Sequence, residues 1–234
     1  MADSSWGLPE PTAKTRKGQA TERLFLDAAR RVFARDGYLN AKLSDIALEA
    51  GKSSGSFYNY FDSKQAVLTA LAEDFNAELL ELAAAPYRRG VPAQEALFEA
   101  VGAFWNTYKR RLPELAGVFQ ASMTDEAFAE RWRAIRAQGI TSIAEGIRVA
   151  QAEGYAPGLD PLLAASALAS MIEHFCYVWQ AQGGDAVDVE IDDEKAVRTL
   201  WTLWCHAVFW RQEDDTGAGQ LGLGRTGDAP RAEG

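Results

Sequence analysis

The sequence predicts an all-α protein of about nine helices, a three-helix N-terminal head followed by a larger helical body. Three observations carry that expectation. Apolar residues recur one helical turn apart through most of the chain, and no stretch alternates with the two-residue rhythm of a strand. Glycine and proline punctuate the periodic stretches, at Gly37, Gly51, Pro86 and Gly154. Hydrophobic residues make up 47% of 234 residues, enough to bury a sizeable core.

Residues 1–18, with Gly7, Pro9, Pro11 and Gly18, read as a flexible arm that ends in the basic Lys14, Arg16 and Lys17. Thr21 is a cap for the first helix, whose stripe is Leu24, Phe25, Ala28, Ala29, Val32 and Phe33, stopped by Gly37. Arg30, Arg31 and Arg35 lie off that stripe and read as a solvated face. Leu43, Ile46, Ala47 and Ala50 mark a short second helix, and Gly51 follows where a left-handed residue ends it. Ser53 or Ser54 can cap the third helix, in which Phe57 and Phe61 point inward while Ser54, Gly55, Ser56, Tyr58, Asn59 and Tyr60 point outward.

Asp62 or Ser63 caps a fourth helix that runs to about Ala85 and stops at Pro86; Gln65, three residues after Asp62, suggests a capping box. A fifth spans about Pro92 to Arg111, a sixth Leu112 to Phe119, and a seventh opens at Thr124 and reaches about Glu153. An eighth opens at Asp160 and Pro161 and runs to about Gln182. After an acidic loop, a ninth spans about Asp192 to Gln212, and the Gly-rich stretch from Glu213 reads as a disordered tail. The domain reading is therefore an arm (1–18), a head (19–64), a body (65–212) and a tail (213–234).

Two short helices hinged at a glycine, the second with a polar outer face, form a helix-turn-helix suited to double-stranded DNA. Ser54, Ser56 and Asn59 offer hydroxyl and amide groups to base edges, and Gly55 lets the backbone approach closely. Tyr58 and Tyr60, the latter ahead, can donate to phosphates. No arginine lies on this helix, so recognition leans on phosphates and DNA shape. Lys64 occupies a first helical turn, where a cation opposes the dipole and a nearby phosphate would reverse the sign. The net charge of −9 opposes such binding only on average. Residues 12–64 hold ten Lys/Arg against six Asp/Glu, a net of +4, and the acidic excess lies beyond them.

Asp45-Ile46-Ala47, Ala50-Gly51, Ser53, Gly55, Phe57-Tyr58, Phe61 and Ser63-Lys64 resemble the signature of the tetracycline-repressor (TetR) family of bacterial regulators. The resemblance runs from about Thr21 to about Lys64. It implies a repressor that leaves its operator when a small molecule binds the body, and it supports Tyr58, Tyr60 and Lys64 as DNA contacts; Lys42 and Ser44 are further candidate contacts. Lys42 stands where the family usually has a capping Ser or Thr; Ser44 or Asn40 could stand in.

The body is rich in aromatic residues. An apolar or aromatic effector could be lined by Phe104, Trp105, Tyr108, Phe119, Trp132, Phe175 and Tyr177, with Arg136 and Glu173 as sparse polar groups. The last two helices are apolar on more than one side, and the surplus calls for a second surface: Met171, Trp179, Trp201, Trp204 and Val208 are candidates for a homodimer interface. A two-fold dimer would demand a palindromic operator.

Cys176 and Cys205, with His174 and His206, raise the rival of a metal or redox sensor. The adjacent and i,i+2 spacings do not share a helical face, so no metal site is expected. No phosphate-cradling loop, nucleophile elbow or His-Glu metal motif is present, so neither an enzyme nor a cofactor is expected. The scarcity of cysteine, the lack of a secretory signal and the absence of about 18 uninterrupted apolar residues point to the bacterial cytoplasm and not to a membrane.

Overall fold

The computed structural model describes residues 15–185 and 188–211. The described residues form nine α-helices and no strand: α1 (Arg16–Asp36), α2 (Leu43–Glu49), α3 (Ser54–Tyr58), α4 (Lys64–Arg88), α5 (Ala93–Arg110), α6 (Leu112–Thr124), α7 (Glu126–Ala152), α8 (Pro161–Cys176) and α9 (Asp193–Val208). A π-helical turn, Tyr177–Ala181, extends α8. The expected arm up to Lys14 and the expected tail from Glu213 lie outside the described residues.

Several boundaries differ from expectation for identifiable reasons. The first helix begins at Arg16, because Thr15 Oγ1 accepts from the Gly18 amide at 3.2 Å; Thr21 sits inside the helix and donates to Lys17 O at 3.0 Å. Asp125, not Thr124, caps α7 by accepting from the Phe128 amide at 3.0 Å, and α6 runs on to Thr124. Pro86 does not end α4. It sits in the last turn, where its carbonyl accepts from the Val91 amide at 3.2 Å across Gly90, which carries φ +73°. The helix stops at this left-handed glycine, and the missing proline amide costs one bond without breaking the rod. The ninth helix ends at Val208, short of Gln212.

Two apolar clusters fill the interior. One is the head core, Phe25, Val32, Ile46, Phe57, Leu68 and Leu71 among others, and it takes in Val118 and Ala121 of α6 with Phe128 and Ile135 of α7. The second fills the body, including Phe75, Trp105, Tyr108, Ile147, Leu168, Ile172 and Leu200. Helix α4 serves both: Val67, Leu68, Leu71 and Ala72 belong to the first cluster, Phe75 to the second. The head is therefore welded to the body rather than tethered by a linker.

Charged groups reinforce the weld. Buried Glu114 of α6 accepts from Arg30 Nε of α1 at 3.0 Å and from Arg111 Nη1 at 3.4 Å, and Arg30 also reaches Asp74 of α4 at 3.2 Å. Arg31 and Arg35 both meet Glu49, tying α1 to α2. The three arginines read as a solvated face are thus ion-paired between helices. Among the described residues one helical stretch, Pro161–Ala181, is long and apolar enough by length and composition to cross a membrane, with mean hydropathy 1.3, although only 28% of it is buried inside the chain. It carries Glu173, ion-paired to Arg136 of α7.

Candidate nucleic-acid interface and body cavity

The turn between α2 and α3 closes by two bonds: Lys52 N–H donates to Ala47 O at 2.9 Å and Gly51 N–H to Leu48 O at 2.9 Å, with Gly51 at φ +65°. This pairing satisfies the last carbonyls of α2 and requires the left-handed residue that glycine supplies. Ser53 caps α3, its Oγ accepting from the Ser56 amide at 3.1 Å. Phe57 is fully buried, edge-on to Phe25 at 5.2 Å, so the opposite side of α3 turns outward. No side chain caps α2 at Lys42. Ser44 Oγ instead faces Asp45, and Asn40 donates to Asp36 O, so neither substitutes for the missing cap.

Lys42, Ser44, Ser54, Gly55, Tyr58 and Asn59 are exposed, and Ser56 is half-buried. Tyr58 is the more open of the two tyrosines, at 55% exposure, and the Tyr60 ring leans on Phe25 at 5.6 Å. Lys52, absent from the expected set, is also exposed at the turn.

Lys64 has partners inside the head. Its ammonium has three donors, and they meet three carbonyl oxygens of the α1–α2 loop: Tyr38 at 2.6 Å, Leu39 at 3.1 Å and Ala41 at 3.1 Å. Partial burial lowers its pKa from the ordinary lysine value. The cation that opposes the helix dipole is solvated by loop carbonyls, so its position has an explanation within the fold.

Behind the head, a cavity of about 540 Å³ opens between α4, α5, α7, α8 and α9. Phe75, Leu79, Leu80, Tyr87, Leu97, Phe104, Trp132, Ile140, Ile143, Ile172, Trp204 and Phe209 supply most of its wall. Trp132 also packs against the head core, so one side chain touches both compartments. Arg136 and Glu173 are the ion pair within the wall: Nε donates to Oε1 at 2.9 Å and Oε2 at 2.7 Å, and Nη2 to Ser170 Oγ at 2.9 Å.

Of the expected cavity residues, Phe104, Trp132, Arg136 and Glu173 line it; Trp105, Tyr108, Phe119, Phe175 and Tyr177 do not. Trp105 Nε1 donates to Asp193 at 2.9 Å and its ring meets Phe175, while Phe119 packs on Tyr177 at 4.6 Å. These aromatic groups splice α5, α6, α8 and α9 together. Tyr108 sits behind the wall, against Phe75 and Phe104. Two residues expected at an interface, Trp204 and Val208, face the cavity instead, and Trp201 is spoken for by Gln94 O at 2.9 Å and by Phe98. Met171 and Trp179 are half-buried against the body core. The outward apolar residues of α8 and α9 are Leu162, Leu163 (73% exposed) and Leu203 (52% exposed). Among the described residues no three His, Cys, Asp or Glu side chains converge as metal ligands, and burial pushes both the Cys176 and Cys205 thiols up.

Comparison with known proteins places this geometry. Residues 25–71 match the family model described as bacterial regulatory proteins, tetR family. A curated relative, the HTH-type transcriptional regulator EthR of Mycolicibacterium smegmatis, is 27% identical over 82% of this chain and 88% of its own length. Among solved structures, the regulator FadR from Bacillus subtilis in complex with stearoyl-CoA superposes with a TM-score of 0.68 at 19% identity, covering 80% of this chain and 98% of that one. A regulator from Saccharomonospora viridis in complex with choline gives 0.68 at 21% identity, covering 82% and 100%. Residues 25–71 thus carry a domain of the tetR type of bacterial regulatory proteins, and over most of its length the chain is similar to HTH-type transcriptional regulators.

Proposed function

We propose that this regulator is a cytoplasmic repressor that grips a palindromic operator as a homodimer and releases it when an elongated apolar molecule fills the body cavity. The observation that carries this reading is the continuity of α4. One rod starts at the Ser63 cap beside α3, contributes Leu68 and Leu71 to the head core, and then lines the cavity from Phe75 to Arg88. A ligand that wedges the far half displaces the near half, and two recognition helices then lose register with their half-sites.

In this reading the head (19–64, with the arm before it) holds DNA through Lys42, Ser44, Ser54, Gly55, Ser56, Tyr58, Asn59 and Tyr60, and the body (65–212) senses and dimerises. The outward leucines of α8 and α9, and the low burial of the Pro161–Ala181 stretch, support a partner packed on that face. A two-fold pair sets the recognition helices about 34 Å apart, or slightly more. The stearoyl-CoA and choline held by the two structural neighbours differ so much that the fold leaves ligand choice to the wall residues. Here the wall is mostly hydrocarbon.

The test uses the full-length protein in selection of duplexes at low salt, light scattering of the complex, and operator anisotropy with a panel of elongated apolar compounds. Two protomers on a two-fold symmetric site, released by members of the panel, are expected. A monomer on an asymmetric site, or indifference to every duplex, overturns the proposal.

A further inference from the structure

We infer that the effector is uncharged and carries a carbonyl-type acceptor, which seats on the unused edge of Arg136 while its hydrocarbon runs along α4 toward Phe209. The inference rests on the cavity reading above and specifies what that cavity takes.

Length comes from the wall. Its α4 residues run from Phe75 to Arg88, thirteen positions apart, or about 20 Å at 1.5 Å per residue. An extended chain advances roughly 1.2 Å per bond, so roughly 16 bonds span that distance. An occupant that follows the α4 wall is therefore elongated.

Charged groups stand at both ends of the wall, but only one end holds them away from solvent. At the far end Arg88, Glu145 and Glu153 are exposed and form a solvated rim. At the head-proximal end Arg136 and Glu173 are mostly buried, their side chains 21% and 20% exposed. Their charges cancel. A carboxylate drawn to Arg136 would lie beside Glu173, and an ammonium drawn to Glu173 would lie beside Arg136. Either ion would give up its hydration for one attraction and one repulsion, which does not repay desolvation.

A neutral acceptor escapes that penalty. The Nε–Nη2 edge of Arg136 is committed to Glu173 and Ser170, whereas Nη1 has no partner among the described residues. A guanidinium carries five N–H groups, so the opposite edge can donate to a carbonyl without opening the ion pair. Asn76, also in the wall, gives one of its two amide hydrogens to Gln138 Oε1 at 3.1 Å, and unlike Arg136 it is an uncharged donor. Arg136 lies one turn beyond Trp132, the side chain shared with the head core, so a group held there loads the wall where the head begins.

The experiment is tryptophan-fluorescence titration of the full-length protein, below micellar concentrations, with methyl palmitate, palmitate, hexadecylamine and hexadecane. A hydrogen bond from a charged donor corresponds to about tenfold or more in affinity. Methyl palmitate is expected to bind at least about tenfold more tightly than the other three, and its infrared carbonyl band to move to lower wavenumber on binding. In the doubly apolar variant R136M/E173M the ester should lose its advantage over hexadecane. Palmitate or hexadecylamine matching the ester, an unshifted carbonyl band, or an ester preference that survives in the variant overturns this inference and leaves the cavity reading standing. If none of the four binds, the cavity reading falls and takes the inference with it.

Discussion

Lys64 Nζ lies 2.6 Å from the carbonyl oxygen of Tyr38 and 4.5 Å from the centroid of that residue's ring. The same tyrosine presses on α6, where a Cβ built on Gly117 would fall 2.9 Å from Tyr38 Cβ and 3.1 Å from its Cγ. Its ring also meets Phe33 edge-on at 5.5 Å. Tyr38 is thus held between the first residue of α4, the end of α1 and the middle of α6. It is the point at which the recognition unit, the rod behind it and the body touch one another.

Lys64→Ala should therefore act through the fold. Three carbonyls of the loop lose a charged donor, and stability should drop by about 1–2 kcal/mol in urea unfolding, allowing for partial solvent access. DNA affinity should fall for all sequences while the slope of log K against log salt stays as it was. Lys42→Ala or Lys52→Ala should do the opposite, reducing the slope by about one with stability changed by less than about 0.5 kcal/mol. A slope reduced by one in Lys64→Ala would restore that side chain to the phosphate backbone.

Lys64 also marks how far the sequence could be read. Helical periodicity, Gly51 and the Ser53 cap are local signals, and they located α2, α3 and the inward Phe57 because local chemistry decides them. The partners of Lys64 lie 23 to 26 residues away in a loop, so nothing near it in sequence announced them. The same reason explains the cavity. Aromatic content could nominate Trp105 and Trp132 alike, but only the crossing of α5, α7 and α9 decides which ring faces empty space. Trp204 and Val208 were apolar surplus on α9, and periodicity cannot tell a cavity wall from an outer face. Tyr87, Ile140, Ile143 and Phe209 were missed as wall residues; the signal was the second apolar stripe along α4 and α7, legible only as more core.

Gly117→Ala should separate head from body. The added methyl would meet Tyr38 at 2.9 Å and Leu68 Cδ1 at 3.3 Å, and the Tyr38 contacts involve its Cβ and Cγ, which cannot swing away like a side-chain tip. Overpacking of this kind costs about 1–3 kcal/mol. The expected outcome is a lower unfolding midpoint together with weaker operator binding in the absence of any effector. Full operator affinity at a lowered midpoint would show that α6 does not position the head.

Tyr108→Phe should stabilise the protein. Its hydroxyl is buried without a hydrogen-bond partner among the described residues, and burial, with Cys176 and Glu173 nearby, pushes its pKa far up. An unsatisfied buried hydroxyl costs about 1–3 kcal/mol, and phenylalanine keeps the packing against Phe75 and Phe104. A gain of about 1 kcal/mol in thermal or urea unfolding is expected. A loss of that size would mean that the hydroxyl is bonded in solution.

Stability should peak on the acid side of neutrality. Burial raises the carboxyls of Glu114 and Glu173 above the ordinary range, and the pull of their arginines, Arg30 and Arg111 for one and Arg136 for the other, only partly offsets it. A carboxyl with a raised folded-state pKa binds its proton more tightly in the native chain, so stability is lost as pH climbs through that value and regained as pH falls through it. Asp193 and Glu49 behave in the opposite sense. Lys109 and the Trp105 N–H hold Asp193 low, and Arg31 with Arg35 holds Glu49 low, so their contribution is present above the ordinary carboxylate range and lost as acid protonates them. Scanning from about pH 7.5 to about pH 3.5, the melting temperature should first rise and then fall as the exposed pairs are protonated. In the double variant Glu114→Gln, Glu173→Gln the rise should vanish while the acid fall remains. A melting temperature that declines steadily from about pH 7.5 in the wild type would mean that the arginines outweigh burial at both glutamates, and that each carboxylate stays charged because its partner is worth more than the water it gave up.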